Sequence, residues 1–287
     1  MPRLITIAAI ALAAFFPATL VARPVAGTDA SQNAYVAMGS SFAAGPWVAQ
    51  DADTPPNRCA RSVANYAHLL AARLKMPLVD VSCSGAKAVH ILSPWSELPA
   101  QINAVTARTR LVTITAGGND LNYIGSIAAL NCGRMTPEQI NQAFQGKGCP
   151  AVALPTAADE AALASTLRKA VSRIRAAAPR ARIVLVQYFN LFSGAPNCAA
   201  TGLVAKDLVT LQGIAGRLAM ITASVAHETG AELLPLDQLS REHGVCSAAP
   251  WVNGNSADRA NGDGVFYHPN RAGMAAAADA LAQLIAR

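Results

Sequence analysis

Two adjacent serines and one histidine are the residues of this chain best placed to do nucleophilic chemistry. Ser40 and Ser41 follow the apolar run 35–38 directly, inside Gly39-Ser40-Ser41-Phe42-Ala43-Ala44-Gly45. A hydroxyl just past a strand, with glycines on both sides, lies at the edge where open α/β sheets bind ligands. A serine is a weak nucleophile until a base takes its proton, so a histidine must come within hydrogen-bond reach. His268 is the best placed of the five, in a Gly-, Asn- and Pro-rich loop just before a helical pattern. His68 and His227 fall within helical patterns, and His90 and His243 lack comparable context. Taken singly, each feature has a plainer use: serine caps helices well, and Pro269-Asn270 is a good helix start.

The elements that must position these residues are legible as alternating patterns. Short β-rich runs at 35–38, 78–82, 111–115, 182–187 and 231–236 read as buried strands separated by helices. That alternation predicts an α/β fold, a three-layer α/β/α sandwich around a five-stranded, mostly parallel sheet. Thr156, with Asp159 three residues on, opens a helix whose apolar face is Leu163, Leu167, Val171 and Ile174, ended by Pro179. A second helix runs from about Leu203 to Glu228 with Gly230 as its stop, and a last one from Asn270 turns Met274, Ala278, Leu281 and Ile285 inward. The stretches 131–155 and 239–269 read as irregular loops.

Composition bounds the class. With 52% hydrophobic and 14% charged residues, the chain carries enough apolar surface for a sizeable core. Residues 1–26 read as a signal peptide: Arg3 supplies a positive start, an apolar run follows from Leu4 to Phe16, and small residues precede a cleavage near Ala26 or Ala30. The remainder, 27–287, reads as one domain. The apolar run is shorter than a membrane span, so stable membrane insertion is not expected. Export suits six cysteines without CxxC spacing, Cys59, Cys83, Cys132, Cys149, Cys198 and Cys246, and makes three disulfides their expected use in a secreted protein. Proximity along the chain favours 59 with 83, 132 with 149, and 198 with 246. The net charge of +6 comes from scattered residues rather than a basic run, so no nucleic-acid partner is implied. No metal-ligand spacing is present.

Four short blocks together resemble the SGNH, or GDSL-type, hydrolases, and within them the secreted three-disulfide bacterial lipases and esterases. They are Gly39-Ser40-Ser41-Phe42 with Gly45, Ser84-Gly85-Ala86, Gly117-Gly118-Asn119-Asp120, and His268-Pro269-Asn270 with Gly273. The resemblance spans Tyr35 to the C-terminus. It implies a flavodoxin-like fold and a cofactor-free ester hydrolase, a monomer acting on a small-molecule or lipid ester. Ser41 would attack, His268 would be the base, and the Ser41 N–H, Gly85 N–H and Asn119 side-chain amide would hold the oxyanion. Asp120 would cap the helix that follows.

Two departures from the family pattern bear on this. Ser40 stands where the family usually has Asp, and Val265 stands three residues before the histidine, where many members place the Asp that orients its ring. The main-chain carbonyl of Val265 or Phe266 would take the orienting role, as in some of the secreted relatives, with Asp263 the alternative. Fatty-acyl esters are the expected substrate. The other readings are a phospholipase or acetyl-carbohydrate esterase of the same fold, and a binding protein that keeps the fold without turnover.

Overall fold

A computed structural model describes residues 35–144, 146–192 and 198–287. The leader expected at 1–26 lies outside the described residues. Five strands form one sheet: β1 (Tyr35–Gly39), β2 (Leu78–Asp80), β3 (Leu111–Thr115), β4 (Arg182–Val186) and β5 (Glu232–Leu234). They lie in the order β2-β1-β3-β4-β5, and every neighbouring pair is parallel. That is the flavodoxin-like doubly wound order, whose direction reverses between β1 and β3. Both of those strands are buried along their whole length, as continuous apolar runs covered by helices on both faces must be.

The helices in chain order are α1 (Ser41–Ala44), α2 (Tyr66–Leu74), α3 (Val89–Leu92), α4 (Tyr123–Cys132), α5 (Pro137–Phe144), α6 (Ala157–Ala177), α7 (Ala205–Thr229), α8 (Leu236–Leu239) and α9 (Arg271–Ile285). α2 packs with α9, and α6 with α7, giving the outer layers. α6 starts on a complete capping box between Thr156 and Asp159 and buries Leu163, Leu167, Val171 and Ile174. α9 starts where the Asn270 side chain accepts the Gly273 N–H, and it buries Met274, Ala278 and Leu281. α7 is long and apolar enough by composition to cross a membrane. In the fold it lays Leu208, Leu211, Ile214, Leu218 and Val225 inward, while Val209 and Met220 stay exposed.

Local chemistry explains where the elements depart from the sequence pattern. β2 stops at Asp80 rather than Ser82, because the Asp80 carboxylate accepts both the Ser82 N–H, at 3.0 Å, and the Ser82 hydroxyl, at 2.6 Å. β5 ends before Pro235, which cannot donate to a ladder, and Leu236 already belongs to α8. The stretch 131–155 is not wholly irregular: it contains α5, which opens with proline at its first position and Glu138 in its first turn.

Three disulfides staple the connections: Cys59–Cys83, Cys132–Cys149 and Cys198–Cys246. The first fastens the loop that follows β2 to the segment ahead of α2. The third ties the connection after β4 to the long segment that leads to His268.

Candidate active site

The site gathers at the carboxyl ends of β1 and β3, where the strand order reverses. β1 ends at Gly39 with φ +133, a conformation side chains rarely adopt, and a Cβ there would lie 2.1 Å from the Thr115 carbonyl oxygen. The buried Gln101 amide holds this glycine from both sides, accepting its N–H at 2.8 Å and donating to its carbonyl at 3.0 Å. The chain then turns into α1, and Ser41 becomes the first helical residue. Gly45, left-handed at φ +64, ends that single turn and returns its N–H to the Ser41 carbonyl.

His268 arrives from the far end of the sequence. Its Nε2 lies 2.8 Å from Ser41 Oγ, and its Nδ1 lies 2.9 Å from the Phe266 carbonyl oxygen. A carbonyl can only accept, so Nδ1 carries the proton and Nε2 is left as the acceptor of the serine hydroxyl. Both residues are only 8% exposed, and Phe42 packs its ring against the imidazole at 4.9 Å between centroids. Burial pulls the His268 imidazole down to about 4, opposed in part by the Phe266 carbonyl, which favours the charged ring. The histidine therefore stands neutral at pH 7.

The other two candidates for the histidine-orienting role are engaged elsewhere. The Asp263 carboxylate accepts the Arg271 N–H at 3.2 Å, and the Val265 carbonyl lies 3.3 Å from the Asn253 amide. Val265 and Asp263 thus give way to Phe266, because positive φ at Tyr267 turns the chain so that the ring folds back two residues rather than three.

Neither the Ser41 N–H nor the Gly85 N–H meets an acceptor among the described residues. Gly85 adopts φ +84, and a Cβ on it would press on the Trp95 ring at 3.2 Å. The Asn119 side-chain amide donates to the Ala86 carbonyl at 2.9 Å, which aims it from the third loop towards the second and leaves it one further hydrogen to give. Gly85 and Asn119 line a cleft of about 460 Å³ together with Lys87, Asp120, Leu121, Asn122 and Leu154.

Asp120 does not cap α4. The cap position is Asn122, and the Asp120 carboxylate turns back to accept the Ala88 N–H through both oxygens, at 2.9 and 3.1 Å. Burial, the larger influence, raises this carboxyl above its usual range, although the Ala88 bond acts the other way. Ser40 does not use its side chain to cap α1; its hydroxyl lies 2.6 Å from that of Tyr188. Tyr188 and Gln101 are the residues of this site that the sequence pattern passed over. Tyr188 had one signal, its position just past the carboxyl end of a central strand, whereas Gln101 sits in a short turn without any.

The remaining histidines lie apart from the pair. His68 sits beside Asn65 and Asp80, His90 stacks on Trp95, and His243 stacks on Trp251. No group of His, Cys, Asp or Glu suited to a metal ion occurs among the described residues.

Comparison with known proteins fits this geometry. The chain is 32% identical over 254 residues to lipase 2 of Streptomyces coelicolor, covering 83% of this chain and 81% of that protein. It is 28% identical over 268 residues to a lipase of Streptomyces rimosus, covering 92% and 89%. Two solved structures share the fold at TM-score 0.67 and 24% identity: an extracellular lipase from Streptomyces rimosus, covering 88% of this chain and 99% of that one, and phospholipase A1 from Streptomyces albidoflavus, covering 87% and 98%. The sequence profile of the GDSL-like lipase/acylhydrolase family matches residues 37–276, and the chain belongs to that family.

Proposed function

We propose that this protein is a secreted carboxylic ester hydrolase acting on fatty-acyl esters, with Ser41 as nucleophile and His268 as general base and acid. The observation that carries the reading is the continuous relay from Ser41 Oγ through the His268 ring to the Phe266 carbonyl. As Ser41 Oγ attacks the ester carbonyl, Nε2 takes its proton, and the Phe266 carbonyl steadies the imidazolium that forms. The oxyanion that develops on the former carbonyl oxygen is met by the Ser41 and Gly85 N–H groups and the Asn119 amide. Collapse expels the alcohol, protonated by His268, and leaves an acyl-enzyme. The same histidine then deprotonates a water that releases the acid and regenerates the serine.

Apolar residues around the mouth favour a fatty-acyl substrate over an acetylated sugar. Leu154, 51% exposed, lines the Gly85–Asn119 cleft, and Trp47, 55% exposed, lies with Phe266 near the Arg259 guanidinium, in the segment that leads to His268. Three disulfides and the likeness to the extracellular lipase of Streptomyces rimosus support secretion.

The test is hydrolysis of p-nitrophenyl esters of increasing acyl length, of a diacyl phospholipid and of an acetylated sugar, by the oxidised protein alongside Ser41→Ala. The expected result is turnover that favours chains longer than acetyl and disappears with Ser41→Ala. Preference for acetylated sugar would overturn the fatty-acyl assignment, and a folded protein inert on every ester would return the binding-only reading.

A further inference from the structure

The three proposed oxyanion donors come from loops after three different strands, so nothing local fixes their separation. The loops after β2 and β3 are braced to each other twice, by the Asn119 amide on the Ala86 carbonyl and by the Ala88 N–H on the Asp120 carboxylate. Between the ends of β1 and β3 the backbone supplies one bond, from the Ser40 N–H to the Thr115 carbonyl at 2.9 Å, but beyond it Gly39, Gly117 and Gly118 offer no side chains to brace the two loops.

Tyr188, just beyond β4, occupies that gap. Its hydroxyl lies 2.6 Å from Ser40 Oγ, and the Gly118 backbone N–H also interacts with it. Its ring passes so close to Gly118 that a Cβ there would lie 2.5 Å from Cε1, and it packs on Phe42 with centroids 4.3 Å apart. Phe42 in turn backs His268. One phenol thus touches the residue before the nucleophile, the residue after it and the residue before Asn119. Ser40 is fully buried and Tyr188 is 6% exposed, so water does not compete for the bond.

Resting on Ser41 as nucleophile, we propose that the buried Ser40–Tyr188 hydroxyl pair is a positioning unit for the reaction, holding the Ser41 turn and the Gly118-Asn119 loop at the separation that the oxyanion needs. Ser40 stands where the family usually carries an aspartate before its nucleophile, and here the anchorage comes from a neutral pair completed by a tyrosine just beyond the fourth strand. Tyr188 touches neither substrate nor the reacting atoms. Its effect belongs to kcat, because the oxyanion exists only after attack.

The experiment compares Tyr188→Phe, Ser40→Ala and the double variant with the parent and Ser41→Ala on a soluble p-nitrophenyl ester, with thermal unfolding of each. The expected result is a fall in kcat of roughly tenfold in each single variant, KM within about twofold, and an unchanged acid midpoint of kcat/KM, since displacements near 1 Å can cost about a hundredfold. The double variant should lose no more than either single one, because both remove the same bond. A parallel fall is expected in the rate at which an alkylphosphonate ester, whose adduct holds a tetrahedral phosphorus with its phosphoryl oxygen in the same hole, labels Ser41.

A kcat within about twofold of the parent, whatever the melting temperature does, would overturn the proposal, and so would losses that multiply in the double variant. Should Tyr188→Phe not fold, Ser40→Ala decides alone, since it leaves the phenol packed in place. Activity surviving in Ser41→Ala would overturn the nucleophile and this unit with it, whereas inactive Ser41→Ala beside an unimpaired Tyr188→Phe overturns only the unit.

Discussion

At the scale of the residue, the His268 environment sets how the enzyme should respond to acid. A base buried against Phe42 and pulled down to about 4 stays neutral well below the ordinary histidine range, so kcat/KM should hold as pH falls through 6.5 and drop only as it passes about 4. A pH–rate profile on a soluble ester checks this, and an acid limb centred near 6.5 would contradict it. Asn119 makes a different demand: if the proposed oxyanion role holds, replacing it with alanine removes a donor, and kcat should fall by about 10²–10³ with little change in KM. Stopped assays over a substrate range separate the two constants, and a loss smaller than threefold would remove Asn119 from the hole. Ser41, Gly85 and Asn119 were legible as candidates because each stands in a short block just past an apolar run, and His268 because its block opens the last helix. Tyr188 and Gln101 were not, because their work consists of contacts across 148 and 62 residues of sequence that no local pattern announces. The orienting carbonyl was visible only as an alternative, since every residue owns a carbonyl and the turn at Tyr267 decides which one faces the ring.

At the scale of the element, periodicity carried the fold, and side-chain chemistry set its limits. The parallel sheet could be read from the alternation of β-rich and helical runs, and α6 from its Thr156–Asp159 cap, whereas α5 was hidden by the cysteines and glycines around it. The ends of β2 and β5 were misjudged where Asp80 and Pro235 override an apolar run. Those same local devices make element-level tests. The Cys59–Cys83 bridge closes a separation of 24 residues, and Ser84 donates its N–H to the Cys59 carbonyl, so the Gly85 loop hangs on this staple. Replacing both cysteines with serine should cost about 3.5 kcal/mol of unfolding free energy by the loop-entropy relation. The loss in kcat should exceed that for the same change at Cys132 and Cys149, whose bridge joins the end of α4 to the segment before α6 rather than holding the Gly85 loop. Denaturant melts and ester assays on the two variants compare them, and equal loss of kcat in both would mean that the staple does not hold the Gly85 loop.

At the scale of the whole molecule, all five tyrosines of the chain are buried, Tyr35, Tyr66, Tyr123, Tyr188 and Tyr267, and burial raises every one of their phenols, Tyr66 to about 12 and the others at least in direction. Four of them bond across the fold: Tyr35 to Thr113 between β1 and β3, Tyr66 to Thr115 between α2 and β3, Tyr188 to Ser40, and Tyr267 to the Thr201 carbonyl between two segments outside the sheet. The sign of the linkage follows from the neutral form being the protonated one. Below pH 10 both folded and unfolded states keep their phenol protons and stability does not depend on them. Above 10 the unfolded chain releases protons that the folded chain retains, so stability falls as pH rises. Each phenol contributes about 1.4 kcal/mol per pH unit in that window, and five acting together approach 7 kcal/mol per unit, comparable to the 5–15 kcal/mol that holds a typical domain together. Unfolding should therefore be abrupt between about pH 10 and 12, and tyrosinate absorbance should appear in one cooperative step that coincides with loss of the circular dichroism of the fold. Absorbance rising near pH 10 while the dichroism persists would show that one or more of these phenols reaches water in the native protein, and the first to be suspected would be Tyr188, whose exposure would open the gap between the nucleophile turn and the Asn119 loop.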